Sequence, residues 1–319
     1  MNNKNTQGIV EGAMLSGIAV IIAIASAYIP FLSFLYVVFP VPIAVIGYRH
    51  GLKISLLSLI VASVIIAILS GPLSLLGTMG LGSIGIGIGY FQKLRVSPVT
   101  TLFGAFFIGL FSILLSLWIA SKIAGINVVS QNIDAFRQAM QLNIEIYKKM
   151  GIQGQALQDI NVLMQNMLAM LKMLMPFIIM ASVFIVVFIN YLVNNMVLKR
   201  LGYKDVATLP PFSTWIMPRS AAIIFSLFVV AGFFIKAEAV GQNVVHVINN
   251  FLAIGFVAFF IDGLSLATFY MKKAGMNGFF KTIIFIMLLF YGYFNMLVFV
   301  IGLLDAGLDF RHLRMDSRR

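Results

Sequence analysis

Residues 99–121 settle the physical class of this chain. They read VTTLFGAFFIGLFSILLSLWIAS, and none of these side chains carries a charge. A bilayer core about 30 Å thick is crossed by about 20 apolar residues in an α-helix, because lipid offers no hydrogen-bond partner to backbone groups. We therefore predict that this stretch crosses a membrane as one helix.

The composition extends that prediction to the whole chain. Hydrophobic residues make up 61% of its 319 residues and charged residues 10%, whereas soluble domains average about 25% charged residues. We expect an all-α fold, a polytopic transmembrane helical bundle of about nine spans, within a range of roughly eight to ten. The candidate spans are 9–29, 33–48, 54–71, 74–91, 99–121, 173–195, 218–236, 246–269 and 281–304.

The basic residues predict an orientation with the N-terminus in the cytoplasm. The inner loops between spans two and seven then hold Arg49, Lys53, Lys93, Arg95, Lys199, Arg200, Lys204 and Arg219. The short outer turns at 26–33 and 70–74 hold no Lys or Arg, which agrees with the retention of positive charge on the cytoplasmic side. Membrane topology thus explains the net charge of +12, and we expect no nucleic-acid partner. The predicted location is the bacterial plasma membrane, with multiple passes.

The last third of the chain leaves the number of spans open. Three spans after residue 210 would place the C-terminus outside. The basic residues of the tail favour the inside; they are Arg311, Arg314, Arg318 and Arg319. Either one late segment does not cross the membrane, or the tail departs from the charge rule.

Residues 122–172 do not have the composition of a membrane span. Apolar residues recur there at spacings of three and four, at Leu157, Ile160, Met164, Met167, Leu168 and Leu171. This pattern predicts an amphipathic helix, and Gly151 and Gly154 separate it from an earlier helix around 131–149. We interpret the segment as a helical hairpin outside the membrane. It is a solvated connector, a lid over a site that opens outward, or a partner-binding element.

Small residues at intervals of four mark the first span. Ala19, Ala23 and Ala27 form a flat stripe that allows another helix to approach closely. The stripe predicts either internal packing against a neighbouring span or docking onto a different protein.

The fourth span is rich in glycine, with GTMGLGSIGIGIG at residues 77–89. Each glycine costs about 1 kcal/mol relative to alanine in a helix, so a compensating role is expected. Gly82, Gly85 and Gly89 lie on one helical face. They allow either close helix packing or access of a substrate to the backbone.

Asp262 is a carboxylate inside a predicted span, where a charge is costly. It suggests either an ion or substrate pathway, or a structural pair with a Lys or Arg of another helix.

Motifs for catalysis and metal binding are missing from the sequence. There is no Cys, the three His are scattered at positions 50, 246 and 312, and no His-Glu-x-x-His, Gly-x-Ser-x-Gly or Walker pattern occurs. We therefore expect no enzyme activity, catalytic residue, metal site or cofactor.

Four short stretches together resemble a known family. They are Arg49-His-Gly-Leu-Lys53, Leu209-Pro-Pro-Phe-Ser-Thr-Trp-Ile-Met-Pro218, Asp262-Gly-Leu-Ser-Leu266 and Gly302-Leu-Leu-Asp-Ala-Gly-Leu-Asp-Phe-Arg311. In this order they resemble the YybS-like family of predicted bacterial integral membrane proteins. That resemblance implies a membrane fold but no particular activity.

Residues 1–196 also resemble the membrane S component of energy-coupling-factor vitamin transporters. The resemblance depends on six spans, an inside N-terminus and the Ala19, Ala23 and Ala27 stripe. It implies docking of that stripe onto a membrane coupling subunit with ATPases. The corresponding domain division is 1–196, including the 122–172 insert, and 197–319 with further helices and a basic tail.

The sequence thus favours small-solute binding or transport in the style of an S component. Gly82, Gly85 and Gly89 would give access to the site, and Asp262 would place a charge in the path. The alternative is a non-transporting scaffold or regulatory partner of an envelope or signalling complex.

Overall fold

The computed structural model describes residues 3–123, 125, 127–234 and 241–313, and within these ranges the regular structure is entirely helical. The α-helices are α1 (Asn3–Tyr28), α2 (Pro40–His50), α3 (Leu52–Ser70), α4 (Ser74–Lys93), α5 (Pro98–Ile123), α6 (Val128–Lys149), α7 (Gln155–Met173), α8 (Met175–Arg200), α9 (Arg219–Phe234), α10 (Gln242–Lys273), α11 (Gly278–Phe290) and α12 (Gly292–Leu308). Two 3-10 segments cover Pro30–Val38 and Phe212–Thr214.

The expected all-α membrane bundle is confirmed. Among the described residues, seven helical stretches are long and apolar enough to cross a membrane, or eight if one bent pair counts as a span. The seven are Thr6–Tyr28, Pro30–His50, Leu52–Ser70, Ser74–Lys93, Pro98–Ile123, Met175–Arg200 and Gln242–Lys273. A shorter apolar helix covers Arg219–Val230. The cytoplasmic position of the N-terminus stays a prediction.

The chain divides into two compact units. Unit 1 comprises Met1–Leu168 and Ile179–Thr208, and unit 2 comprises Ala169–Ile178 and Leu209–Arg319. The division after residue 196, which the S-component resemblance implies, stays a prediction.

The core of unit 1 forms where α1, α2 and α3 meet. Phe39, Ile43 and Leu59 are almost completely buried there, and Ala19 and Ala23 of α1 pack against them. The small side chains of α1 allow this close approach, because they leave room for the larger residues of its neighbours.

Aromatic side chains pack α9 against α10 in unit 2. The ring of Phe225 lies 5.1 Å from that of Phe259, and the ring of Phe228 lies 4.4 Å from that of Phe251. The higher-numbered residue of α9 contacts the lower-numbered residue of α10, so the two helices run antiparallel. Helix α12 joins this group through Phe299, whose ring lies 4.8 Å from that of Phe256.

The predicted ninth span, 281–304, is wrong as a single straight helix. Tyr291 interrupts it, and α11 and α12 are bent by 97° relative to each other. Helix α11 begins five residues after the end of α10 at Lys273, and Phe310, just past α12, accepts a hydrogen bond at 3.2 Å from the Tyr270 hydroxyl. Since α10 is about 48 Å long, the pair begins and ends near the same end of α10, as a re-entrant segment does.

This return of the chain bears on the open question about the tail. A late segment that does not cross leaves Arg311 on the same side as Lys272 and Lys273, as the charge rule favours. Arg314, Arg318 and Arg319, like residues 235–236 of the predicted 218–236 span, lie outside the described residues.

The insert is helical, as its periodicity predicts. Helices α6 and α7 are separated near Gly151 and Gly154, which have positive φ values of 86° and 65°. Glycine adopts such values without steric cost. Whether the hairpin serves as a connector, lid or partner-binding element is not decided by its fold.

Candidate functional site

Helix α8 carries a buried polar stripe. Asn190, Tyr191 and Asn194 are completely buried, and Asn195 is nearly so. The two residues Asn190 and Asn194 lie one helical turn apart and so share one face of the helix. The sequence places these amides at the end of the sixth predicted span, as packing contacts between helices.

Asn190 lies at an interruption of the second span. The 3-10 segment Pro30–Val38 ends there and α2 begins at Pro40. Pro40 and Pro42 have no backbone N–H to donate, so carbonyl groups at this point need other partners. The Asn190 amide nitrogen donates to the carbonyl oxygen of Val37 at 2.8 Å and to that of Val186 in its own helix at 2.8 Å.

Gln92 of α4 connects the other amides of the stripe. Its carbonyl oxygen accepts from the Asn194 amide nitrogen, and its own nitrogen donates to the Asn195 carbonyl oxygen. The Asn195 nitrogen donates in turn to the Ala207 carbonyl at 3.4 Å, and the Tyr191 hydroxyl donates to the same oxygen at 2.6 Å. We call Gln92, Asn190, Asn194 and Asn195, together with the break at 37–40, the amide site.

The amide site contains two hydrogen-bond acceptors without partners. The side-chain oxygens of Asn190 and Asn194 are buried, and neither accepts a hydrogen bond from any described residue. A buried acceptor left unpaired costs about 1–3 kcal/mol. Ser63 and Asn295 each carry one such atom as well, but Asn190 and Asn194 present two from adjacent turns of one helix.

The glycines of α4 pack against neighbouring helices. A Cβ atom on Gly82 would meet the Leu59 side chain, and one on Gly85 or Gly89 would meet the backbone carbonyl of Pro40 or Ala44. These contacts correspond to close packing. They also place Gly85 beside the break in the second span. A role for the three glycines in a substrate path stays a prediction.

The alanine stripe of α1 is largely covered by its own unit. Ala19 is 0% and Ala23 is 2% exposed, in contact with the unit 1 core, whereas Ala27 is exposed. Ala19 and Ala23 therefore take part in internal packing, which was one of the two roles predicted for the stripe. Docking of the stripe onto a different protein stays a prediction.

Asp262 belongs to a buried ionic cluster in unit 2. One of its oxygens accepts from the Arg311 guanidinium at 2.6 Å, and the other accepts from the Met217 backbone N–H at 3.0 Å. Asp305 accepts from the same guanidinium at 2.6 and 2.9 Å and from the Phe310 N–H at 2.9 Å. Thus both carboxylates have partners on both oxygens.

The same guanidinium holds the loop before α9. Arg311 donates to the Ser213 carbonyl at 3.1 Å and to the Ser265 hydroxyl at 2.7 Å. That hydroxyl donates to the Phe212 and Trp215 carbonyls. The cluster therefore joins the start of the tail, two helices and the loop, as a structural pair does. Asp262 as part of an ion pathway stays a prediction.

Sequence reasoning missed two features of these sites. Gln92 carries no motif, and its importance arises only from its position between α4 and α8. Arg311 was noted only as one charge of a basic tail and the end of a family motif. The neighbouring prolines at 40 and 42 were a usable signal for an interrupted span.

One family model and one relative of similar length match this chain. A family model described as predicted membrane protein (DUF2232) matches residues 17–306. The chain is 26% identical over 311 residues to the "Uncharacterized protein YybS" of Bacillus subtilis (strain 168), covering 97% of this chain and 99% of that protein. No solved structure matches it. The chain belongs to the DUF2232 family of predicted membrane proteins.

Proposed function

We propose that this protein is a membrane carrier that binds a small polar solute at the amide site of unit 1. The observation that supports the proposal is the pair of unpaired, buried oxygens on Asn190 and Asn194. A ligand that offers hydrogens or positive charge to these oxygens would remove the cost of leaving them unpaired.

The position of the amide site also supports the proposal. Helix α8 has 26 residues, and Asn190 lies about 4 Å from its centre. Irregular backbone at membrane depth is tolerated only where protein buries it or a cavity adjoins it. Carriers place their binding sites near the middle of the bilayer at interrupted helices, and the break at 37–40 is such an interruption.

The proposal assigns Asp262 a supporting role instead of a place in the path. Its oxygens are fully engaged by Arg311 and by the backbone of Met217. Energy for transport would come from an ion gradient or from partner ATPases. A coupling subunit would contact Ala27, which is exposed near the end of α1.

The reactivity of introduced cysteines tests the proposal without knowledge of the solute. The chain contains no cysteine, so Asn190→Cys and Asn194→Cys each provide a single thiol. We expect both thiols to react with a water-soluble methanethiosulfonate at least tenfold faster than Ala62→Cys, a control at a core position that is 0% exposed. Equal, negligible reactivity of all three would contradict the proposal.

A scaffold role is the second candidate, and the insert is the observation that favours it. Leu163, Met167 and Met170 recur at spacings of four and three on α7, and each is more than half exposed. Exposed apolar stripes mark interaction surfaces. Changing all three to serine would reduce the size of complexes extracted from native membranes if the scaffold role holds, and would leave cysteine reactivity at the amide site unchanged.

A further inference from the structure

The chemistry of the amide site defines the class of its ligand, provided that the proposed carrier function holds. We infer that Asn190 and Asn194 bind a small monovalent cation through their side-chain oxygens. Amide and carbonyl oxygens replace the hydration shell of such ions in proteins. Two of these oxygens, one helical turn apart, are unpaired, and Asn190 contacts the break in the second span through the Val37 carbonyl.

Every amide nitrogen of the amide site already donates at least one hydrogen bond, and the Asn190 nitrogen donates two. Each of its amide nitrogens donates to a protein oxygen: Asn190 to Val37, Asn194 to Gln92, Gln92 to Asn195 and Asn195 to Ala207. At Asn190 both N–H groups are used by the carbonyls of Val37 and Val186, so the acceptors of a neutral solute such as a sugar or an amino acid find no donor beside its unpaired oxygen. A cation needs only oxygens, so it matches what the site offers.

The charge of the amide site limits the ligand further. Its members are neutral side chains, and all of them are buried. Divalent cations are usually held by carboxylates, and burying a charge without compensation is costly. A neutral set of oxygens therefore suits a single positive charge better than two.

Thermal unfolding of the purified full-length chain tests this inference. We would compare NaCl, KCl and N-methylglucamine chloride at equal ionic strength, with the last, a bulky organic cation, as the reference. A ligand that binds only the folded state raises the unfolding midpoint. We expect Na⁺ or K⁺ to raise it by roughly 3–8 °C in a saturable manner.

Variants connect any such rise to the amide site. Asn190→Leu and Asn194→Leu remove one oxygen each and should abolish the rise, whereas Asn194→Asp keeps an oxygen, adds charge and should preserve or enlarge it. The matched control is Asn250→Leu in unit 2, where the buried amide is paired at both ends. This control should lower the midpoint in every salt and keep the rise.

Two results would overturn the inference. One is an equal midpoint of the wild-type chain in all three salts, which needs no variant to fold. The other is a cation-dependent rise that persists in both leucine variants. If the cysteines at 190 and 194 react but no cation changes the midpoint, the carrier proposal stands and the cation inference fails. If a cation raises the midpoint but the cysteines at 190 and 194 do not react, the cation inference stands and the carrier proposal fails.

Discussion

The protein has two buried groups of polar side chains, and they differ in how many of their hydrogen-bonding atoms have partners. In unit 2, the Arg311 guanidinium makes five hydrogen bonds, and both oxygens of Asp262 and of Asp305 accept. In the amide site, the oxygens of Asn190 and Asn194 accept none from the described residues. A satisfied buried network rigidifies a fold, whereas an unsatisfied one needs a further partner. This contrast supports the proposal that the first group has a structural role and the second binds a ligand.

Removal of Arg311 should destabilise the protein strongly. Arg311→Met would leave two carboxylates buried without their cation, and breaking a buried pair costs about 3–5 kcal/mol. We expect a loss of this size in denaturant unfolding of the full-length chain in detergent micelles.

The exposed pair of Arg137 and Asp134 provides the control for this variant. Their side chains are 46% and 53% exposed, and such surface pairs contribute at most about 1 kcal/mol. Arg137→Met should therefore have a small effect. Equal losses for the two variants would show that the ionic cluster does not stabilise unit 2.

At the residue scale, the sequence indicated some residues of each site but not the residues that they contact. The cost of a charge in a span drew attention to Asp262, but its partner Arg311 lies 49 residues away in a stretch whose path depends on the bend at Tyr291. The amides of α8 were visible, but whether an amide is paired depends on tertiary contacts such as those of Gln92. No local pattern encodes them.

At the scale of elements, glycines determine how closely helices cross. Gly302 of α12 lies against the Phe259 carbonyl and Gly263 of α10, whereas a Cβ atom added to Gly307 of the same helix would meet open space. The first position cannot accept a methyl group without a shift of backbone.

Matched alanine substitutions should separate these two glycines. We expect Gly302→Ala to lower the free energy of unfolding by about 1–3 kcal/mol through overpacking. Gly307→Ala should be neutral or stabilising, since alanine has the higher helix propensity, by about 1 kcal/mol. A ranking in the opposite order, measured by denaturant unfolding, would contradict the described crossing of α10 and α12.

The re-entrant pair predicts where reporters would lie. Since α11 and α12 begin and end near one end of α10, a reporter inserted at 274–277 and another at the C-terminus should lie on the same side of the membrane. Protease protection or compartment-specific fusions in cells measure this directly. Reporters on opposite sides would mean that the pair crosses as a broken span.

Hydropathy predicted most helices, and it failed at the bend. The apolar run through 281–304 gave one continuous signal, because a single residue, Tyr291, separates α11 from α12 and is itself aromatic. By contrast, the glycines at 151 and 154 adopt conformations that end a helix, so the division of the insert was predictable.

On the scale of the whole molecule, composition was sufficient for the fold class. With 61% hydrophobic and 10% charged residues, the chain has no stable alternative to a membrane bundle. Composition does not indicate the function, because a carrier and a scaffold need the same apolar surface. The choice between them depends on whether solvent and solute reach the amide site of unit 1.

Sided labelling of Asn194→Cys tests the carrier most directly. The variant would be prepared in inside-out and right-side-out vesicles and treated with a charged, membrane-impermeant methanethiosulfonate, with Ala62→Cys as the buried control. A carrier exposes its site to each side in turn, so we predict labelling of Asn194→Cys from both sides and of Ala62→Cys from neither. Labelling of Asn194→Cys from one side only, or from neither, would contradict the account.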